Sequence, residues 1–274
     1  CFLFLISLHM YSPFQLTIKY LNYYLTASGS KGHGMHSPFV FDFITKVLND
    51  KTNYPEYEKA ENLRHKLLMD DKMLNVEDFG AGSSISNKKK RSVSSIAKHA
   101  ARPKKYGQLL FRIVKHFEPD TILELGTSLG ISSYYMSLGS PNARVITLEG
   151  AKEVANLSND NFRLLGLKNI ELVQGNFDDN LSSVISGLSA IDFAFIDGNH
   201  RQEPTERYFR QLLPKVNNES VLVFDDIHWS RDMELAWESI KKNPAVRCSI
   251  DLFFTGIIFF RKEFKEKQHF TIRF

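Results

Sequence analysis

One short stretch, residues 121–137, limits the possible folds more than any other part of the chain. Its sequence is TILELGTSLGISSYYMS, in which a largely apolar run ends at Gly126 and a helical pattern begins after Gly130. This order predicts a buried strand, a glycine turn and a helix N-terminus. Glycine lets the backbone turn sharply and lets a ligand approach it closely, while the free N–H groups of a new helix attract anions. The stretch therefore predicts a binding site for a ligand with an anionic end.

The glycine spacing in this turn differs from that of the dinucleotide-binding fingerprint. In GTSLGI the glycines occupy the first and fifth positions, whereas G-x-G-x-x-G requires the first, third and sixth. The turn alone therefore argues against pyrophosphate binding, and the downstream segments must identify the ligand.

Composition restricts the class of protein only broadly. The chain has 274 residues, 43% of them hydrophobic and 24% charged, so it is long enough for one large domain or a domain with an appendage. The net charge of +4 arises largely from one local cluster and predicts no particular partner. Two cysteines, Cys1 and Cys248, cannot form a disulfide framework, so we expect a reducing, cytoplasmic setting.

The first ten residues, CFLFLISLHM, are apolar but do not predict a membrane span. Tyr11, Ser12, Pro13 and Gln15 interrupt them well before the roughly 20 apolar residues that a span requires. No basic region or small-residue cleavage site predicts a signal peptide. We expect an upstream extension or a helix docked on the body, with a membrane anchor as the alternative.

Two helices are predicted before residue 50. Residues 14–28 carry apolar groups at helical spacing and are followed by SGSKGHG; the second helix has Ser37 as its N-cap and Pro38 at its first position. His33 and His36 flank that cap. We expect them to be turn residues; the alternative is that this segment covers an active site and lends it an imidazole.

A charged helix is predicted from residue 54 to residue 73, followed by the glycine run DFGAGSS at 78–84. Only MLNVE precedes that run, which gives no apolar strand, so it does not predict a nucleotide-binding turn. Residues 87–105 are dense in Lys and Arg and are interpreted as a loop and a basic helix. Because no aromatic residue interleaves with these charges, a solvated face is favoured over a nucleic-acid site.

From residue 106 onward, helices alternate with apolar strands. An amphipathic helix over 106–117 precedes the first strand, and further strands are predicted at 143–150, 169–176, 190–200 and 220–229. Their apolar, β-branched character indicates a parallel sheet covered on both faces. SIDLFF and IIFFRK follow, separated by Thr255 and Gly256, which predicts an antiparallel hairpin.

We therefore predict an α/β fold, a Rossmann-like doubly wound sheet of seven strands, five parallel and two in the terminal hairpin. This domain would occupy residues 106–274, and residues 1–105 would form an N-terminal helical extension.

Polar residues or glycines stand at each of the five predicted parallel strand ends. In a doubly wound sheet the ligand lies outside these carboxyl ends. Each of these residues alone can be explained as a turn residue or a helix cap. Their occurrence at all five strand ends, however, predicts a ligand site. The strand-end residues are Gly126, Glu149, Gly175 with Asn176, Asp197, and Asp225 with Asp226.

With these motifs in place, the chain from residue 106 onward resembles the class I S-adenosylmethionine-dependent methyltransferases. The glycine motif has the form E-x-G-x-x-x-G-x-S in Glu124, Gly126, Gly130 and Ser132. The subgroup is similar to the catechol and caffeoyl-CoA O-methyltransferases, and the resemblance extends over the terminal hairpin. It does not extend to the residues before 106.

The resemblance implies S-adenosylmethionine as cofactor and assigns residues to its parts. The turn would hold the methionine part, Glu149 the ribose hydroxyls, and Gly175 with Asn176 the adenine side. The turn residues are Glu124, Gly126, Thr127, Ser128, Gly130 and Ser132.

The resemblance also implies a divalent cation such as Mg²⁺. Asp197 and Asp225 match the metal-binding positions of the catechol-type enzymes, while Asp226 stands where Asn is usual. Three carboxylates suit a hard cation. The alternative is that Asp225 and Asp226 cap the next helix and that Asp197 holds the ammonium group of the cofactor.

A catalytic base is expected at His200, three positions after Asp197, where the catechol-type enzymes have a lysine. Imidazole, with an ordinary pKa near 6.5, can accept a hydroxyl proton near neutral pH. In the alternative, His200 contacts the cofactor or caps a turn. His228 is a second candidate base.

The predicted reaction is direct displacement, in which the protein aligns an acceptor oxygen with the methyl group. Tyr134, Tyr135, Trp229 and Phe254 are candidates for an acceptor pocket, with core packing as the alternative. The expected function is O-methylation of a small-molecule acceptor, with no nucleic-acid or membrane partner and with a homodimer left open. A nicotinamide-dependent oxidoreductase and a non-catalytic cofactor-binding module are the alternatives.

Overall fold

The computed structural model describes residues 10–29, 37–77, 90–100 and 103–274. His33, His36 and the glycine run at 78–84 lie outside the described residues, so the hypotheses about them stay untested.

The N-terminal part is mainly helical. It comprises α1 (Pro13–Thr26), α2 (Pro38–Phe43), which continues as a π-helical turn over Ile44–Leu48, α3 (Pro55–Leu68), β1 (Met73–Asn75), β2 (Lys90–Ser92) and α4 (Val93–Ala100). The predicted cap of α2 is confirmed, since the Ser37 hydroxyl accepts the Val40 N–H. None of the described helices is long and apolar enough to cross a membrane.

Two local expectations for this part were wrong. Met73–Asn75, within the segment that predicted no strand, pairs antiparallel with Lys90–Ser92. The second of these segments lies in the basic stretch that predicted only a loop and a helix. The reason is that a two-stranded ribbon is held by backbone hydrogen bonds and needs no continuous apolar run.

The remaining elements alternate as predicted. They are α5 (Lys104–Phe117), β3 (Thr121–Leu125), α6 (Ile131–Gly139), β4 (Arg144–Glu149), α7 (Lys152–Leu164), β5 (Ile170–Gln174), α8 (Phe177–Ser186), β6 (Phe193–Ile196), α9 (Gln202–Leu212), β7 (Val221–Asp225), α10 (Arg231–Lys242), β8 (Cys248–Asp251), β9 (Thr255–Phe259) and β10 (Gln268–Thr271).

These strands form one mostly parallel sheet in the order β10-β8-β9-β7-β6-β3-β4-β5. Strands β3 to β7 are mutually parallel. The chain order reverses beside β3, so the carboxyl ends of β3, β4 and β6 meet at the switch point. In doubly wound sheets, this is where ligands bind.

The C-terminal end of the sheet corrects two details of the prediction. The sheet has eight strands, because β10 pairs in parallel with β8 at the edge; its polar, four-residue sequence QHFT gave no strand signal. The hairpin turn lies at residues 252–254, with Phe253 at φ 70°, and Thr255 and Gly256 begin β9 instead of forming the turn. Strand β9 is antiparallel to both β7 and β8.

Apolar side chains cover both faces of the sheet. One core joins α2 and α5 to the strands, and the other joins α8, α9 and α10 to the opposite face. The buried Arg112 of α5 donates from Nε to the Val47 carbonyl oxygen at 2.7 Å and from Nη1 to the Tyr57 hydroxyl at 3.4 Å. The N-terminal helices thus pack directly on the α/β body, while the domain boundary at residue 105 stays a prediction.

Candidate active site

The first turn, between β3 and α6, leaves no room for side chains at its two glycines. Gly126 has φ 107°, and a Cβ there would lie 2.0 Å from the backbone oxygen of Asp197. Gly130 has φ 83°, and its Cβ would lie 2.6 Å from the Phe162 ring. Because of these contacts and the left-handed backbone, only glycine fits at either position. The turn brings bare backbone to the switch point.

Glu124 lies beneath this turn and is fully buried. Its carboxylate accepts hydrogen bonds from the hydroxyls of Ser132 at 2.5 Å, Thr147 at 2.6 Å and Ser133. Burial raises the pKa of Glu124 to about 7, although the three hydroxyl hydrogen bonds favour its charged form. Glu124 therefore connects β3 to α6 and β4 and is not part of the cleft wall described below.

Glu149 ends β4, and its side chain is hydrogen-bonded to the backbone of the turn. Its carboxylate accepts the backbone N–H of Ser128 at 2.8 Å and that of Ala151 at 2.9 Å. Burial raises its pKa, and these backbone hydrogen bonds oppose the rise. These N–H donors leave acceptor capacity on the carboxylate, which has about four lone-pair sites.

Gly175 and Asn176 follow β5, next to Glu149. The Gly175 N–H donates to the Glu149 carbonyl oxygen at 2.9 Å, and Gly175 has φ 136°. Asn176 is the N-cap of α8, where its side-chain oxygen accepts the Asp178 N–H. The residues predicted for ribose and adenine are therefore neighbours at one edge, and Asn176 also has the capping role considered as its ordinary explanation.

His200 faces Asp197 at the end of β6. Its Nε2 lies 3.4 Å from Asp197 Oδ1, and its ring contacts Trp229 edge-on at 5.7 Å between centroids. Burial alone lowers the pKa of His200, but the hydrogen bond to Asp197 and the charges of Asp226, Asp197 and Asp225 raise it to about 9. At that pKa the protonated ring is favoured at neutral pH.

His228, the second candidate base, has both ring nitrogens occupied. Nδ1 lies 3.0 Å from Glu234 Oε1 and Nε2 lies 2.7 Å from Asp251 Oδ2. Burial lowers the pKa of His228, but the two carboxylates raise it to about 9. Glu234 also accepts hydrogen bonds from Tyr11 and Lys19. This network ties the N-terminal segment to the body and offers no free base.

The three predicted metal ligands do not form a metal-binding cluster. Among the described residues, no group of three or more His, Cys, Asp or Glu side chains is arranged to hold a metal ion. Asp225 is buried at the end of β7, while Asp226 has φ 58° in the following turn. Asp197 instead lies 3.4 Å from His200, and the charges of Asp225 and Asp226 also raise the pKa of that imidazole. The arrangement does not fit the expected Mg²⁺ site.

A cleft of about 640 Å³, including its open side, lies over the turn. Its lining comes from the turn, from Asp197 and Asp225, and from residues of α3 and α5. The lining residues are Arg64, Tyr106, Gly107, Leu109, Leu110, Gly126, Thr127, Ser128, Leu129, Ile131, Ser132, Phe195, Asp197, Asp225 and Thr255.

Arg64 lines this cleft, although the sequence does not predict it as a site residue. Arg64 belongs to α3, outside the segment that carries the resemblance, and one arginine in a charged helix gives no signal of its own. Of the four candidate pocket aromatics, Tyr134 and Tyr135 are buried in a hydrophobic core, as the packing alternative predicted. Phe254 contacts Tyr106 of the cleft at 6.0 Å between ring centroids.

Comparisons with known proteins agree with this architecture. Residues 123–227 match the family profile of a methyltransferase domain. The comparison with curated protein sequences gave no match.

Solved structures from three organisms are similar over most of their length. An O-methyltransferase from Bacillus cereus in complex with SAH has a TM-score of 0.52 and 19% identity, covering 81% of this chain and 97% of that one. A SAH-bound methyltransferase from Podospora anserina has a TM-score of 0.56 and 12% identity, covering 82% and 97%. The O-methyltransferase TomG from Streptomyces achromogenes, involved in tomaymycin synthesis and bound to SAM, has a TM-score of 0.54 and 16% identity, covering 77% and 91%. At these identities, the similarity establishes the fold.

Proposed function

We propose that this chain, whose residues 123–227 match the profile of a methyltransferase domain, transfers a methyl group from S-adenosylmethionine to a hydroxyl oxygen of a small-molecule acceptor. The observation that carries the proposal is the glycine turn at the switch point, where a Cβ at Gly126 would lie 2.0 Å from the Asp197 backbone oxygen. Proteins of the same fold bind SAM or SAH, which supports this choice of cofactor.

The residues present fit such a cofactor. Gly126, Thr127 and Ser128 line the cleft, so the turn would face the methionine part. Glu149 would accept from the ribose with the acceptor capacity that the backbone N–H groups of Ser128, Ala151 and Gly150 leave on its carboxylate. Gly175 and Asn176, on the next strand end, would contact the adenine.

When bound, S-adenosylmethionine supplies a methyl group on a positively charged sulfur, which is already an activated donor. The chain orients the acceptor oxygen toward that methyl and removes its proton. Asp197 and Asp225 line the cleft together with the turn and provide negative charge there. This charge complements the positive charge of the donor.

His200 is the candidate proton acceptor. Only its neutral form can accept the proton of the acceptor hydroxyl, and the surrounding carboxylates hold its pKa at about 9. We therefore expect the active protonation state to become more populated as the pH rises toward 9. Asp197, 3.4 Å from the ring, would hold the imidazolium after proton transfer.

No step of this mechanism uses a divalent cation, because the described side chains do not form a site for one. We expect methyl transfer to persist after exhaustive treatment with a chelator and to be unchanged when Mg²⁺ is restored. Loss of turnover with the chelator and recovery with Mg²⁺ would return Asp197, Asp225 and Asp226 to the role of metal ligands.

The experiment that tests the proposal combines binding with turnover. Calorimetry of the full chain should detect S-adenosylmethionine and S-adenosylhomocysteine but not NAD, and a panel of phenolic acceptors should then reveal methyl transfer. His200→Ala should lower turnover, while His269→Ala, a histidine on edge strand β10 away from the cleft lining, serves as the matched control. Binding of NAD alone would refute the proposal, and binding without turnover across the panel would favour a non-catalytic module.

A further inference from the structure

Arg64 extends from α3 into the cleft that faces the glycine turn. Its side chain is 13% exposed, and its Nε donates to Glu61 Oε1 at 3.1 Å. Glu61 Oε1 also accepts the Tyr135 hydroxyl at 2.8 Å. The guanidinium is thus anchored on its Nε side by α3 and α6, and this anchor uses one of its five N–H donors.

Arg64 is the only cation among the described residues that line the cleft, whereas Asp197 and Asp225 line it as anions. The site therefore presents one positive group and a pair of negative groups to its ligand. An amino acid part has a carboxylate and an ammonium group, so this distribution matches a zwitterion.

Two hydroxyls of the turn region, those of Ser132 and Thr127, are already engaged. The Ser132 hydroxyl donates its single hydrogen to Glu124 at 2.5 Å. The Thr127 and Thr147 hydroxyls are hydrogen-bonded to each other at 2.5 Å. A carboxylate in this part of the cleft therefore needs a donor other than the Ser132 side chain.

We propose that Arg64 binds the α-carboxylate of the methionine part of the cofactor, beside the first turn of α6. Ile131 and Ser132, the first residues of that helix, line the same cleft as Arg64. The helix N-terminus and the guanidinium both attract a carboxylate, and arginine matches its planar, two-oxygen geometry. The inference rests on the proposed function and makes the N-terminal extension part of the cofactor site.

The test compares two ligands, S-adenosylhomocysteine and its decarboxylated analogue, in which a hydrogen replaces the carboxylate. Calorimetry should show that Arg64→Gln weakens binding of S-adenosylhomocysteine by about 10- to 100-fold, the usual range for losing a charged hydrogen-bond partner. Binding of the analogue should stay at the wild-type level. Arg64→Lys should give an intermediate loss of affinity for S-adenosylhomocysteine, because lysine keeps the positive charge but lacks the planar guanidinium that can bind both carboxylate oxygens.

The matched control is Arg144→Gln. Arg144 is an exposed arginine of β4 that pairs with Glu171 and lies outside the cleft lining. Thermal unfolding of each variant checks that it is folded. Equal weakening of both ligands by Arg64→Gln, or no weakening of either, would overturn the inference. So would an unchanged cofactor affinity with a raised KM for the acceptor, which would move Arg64 to the acceptor site. If the wild-type chain bound neither ligand, the proposed function itself would fail.

Discussion

Replacing Glu124 by Gln is expected to change how the stability of the protein depends on pH. Glu124 is buried, and its pKa in the folded protein is raised to about 7 from an ordinary value of 4.5. In the unfolded chain the carboxyl ionises near its ordinary pKa, whereas in the folded chain it keeps its proton until about pH 7. The folded state is therefore favoured by Glu124 at low pH, and this contribution is lost as the pH rises through 7.

The size of the effect follows from the two pKa values. Since each pKa unit corresponds to about 1.4 kcal/mol, the whole difference corresponds to roughly 3 kcal/mol. Most of it develops between about pH 5 and pH 8, where wild type should lose roughly 2 to 3 kcal/mol relative to Glu124→Gln. The amide cannot ionise, so the variant lacks this dependence. Other titrating groups are common to both proteins and cancel in the comparison.

Urea unfolding of both proteins at several pH values measures the difference in free energy of unfolding. Glu171→Gln, on edge strand β5 and exposed to solvent, serves as the control. If the difference between wild type and Glu124→Gln stayed constant from pH 5 to pH 8, the argument from burial would be wrong. It would mean that the three hydroxyl hydrogen bonds keep the carboxylate charged.

Three further changes test other parts of the site. Gly126→Ala should destabilise the protein by about 2 kcal/mol or more, because φ is 107° and the new Cβ would meet the Asp197 backbone oxygen. His200→Ala should remove the rise of kcat/KM with pH toward 9 that the raised pKa of the imidazole predicts. Glu234→Gln should lower the free energy of unfolding by about 1 to 3 kcal/mol near pH 6, since it breaks a partly buried ion pair with His228. That loss should shrink as the pH rises through 9 and His228 loses its proton.

Each of these changes has an outcome that contradicts its reasoning. An unchanged unfolding midpoint in Gly126→Ala, measured by differential scanning calorimetry, would mean that the turn relaxes freely. A pH profile of His200→Ala that keeps its alkaline rise would assign the proton acceptor to another group. A stability loss in Glu234→Gln that is the same at pH 6 and pH 10 would show that packing, and not the charge of His228, accounts for the effect.

The sequence predicted the α/β architecture because its strands are apolar runs with turn residues at their ends, and such patterns are local. The edge strand β10 was missed because four residues of mixed polarity form a strand only when β8 offers an unpaired edge. The hairpin turn lies before the predicted Thr255 and Gly256 because of a tertiary contact as well. Gly256 is a typical turn residue, but here it packs against the Trp237 ring. Tertiary pairing and packing decided both cases.

For the candidate site, too, the sequence determined some features and the tertiary structure decided others. The sequence by itself determined which residues stand at the strand ends, because a strand followed by a turn places Gly126, Glu149 and Asp197 at one edge of a parallel sheet. Only the tertiary structure decided their charge states and partners, since the pKa of His200 depends on carboxylates from two strands. Only folding brought Arg64, from a helix with no recognisable motif, into the lining of the same cleft. Local patterns specify where the backbone turns, whereas electrostatics and cleft composition depend on contacts between distant parts of the chain.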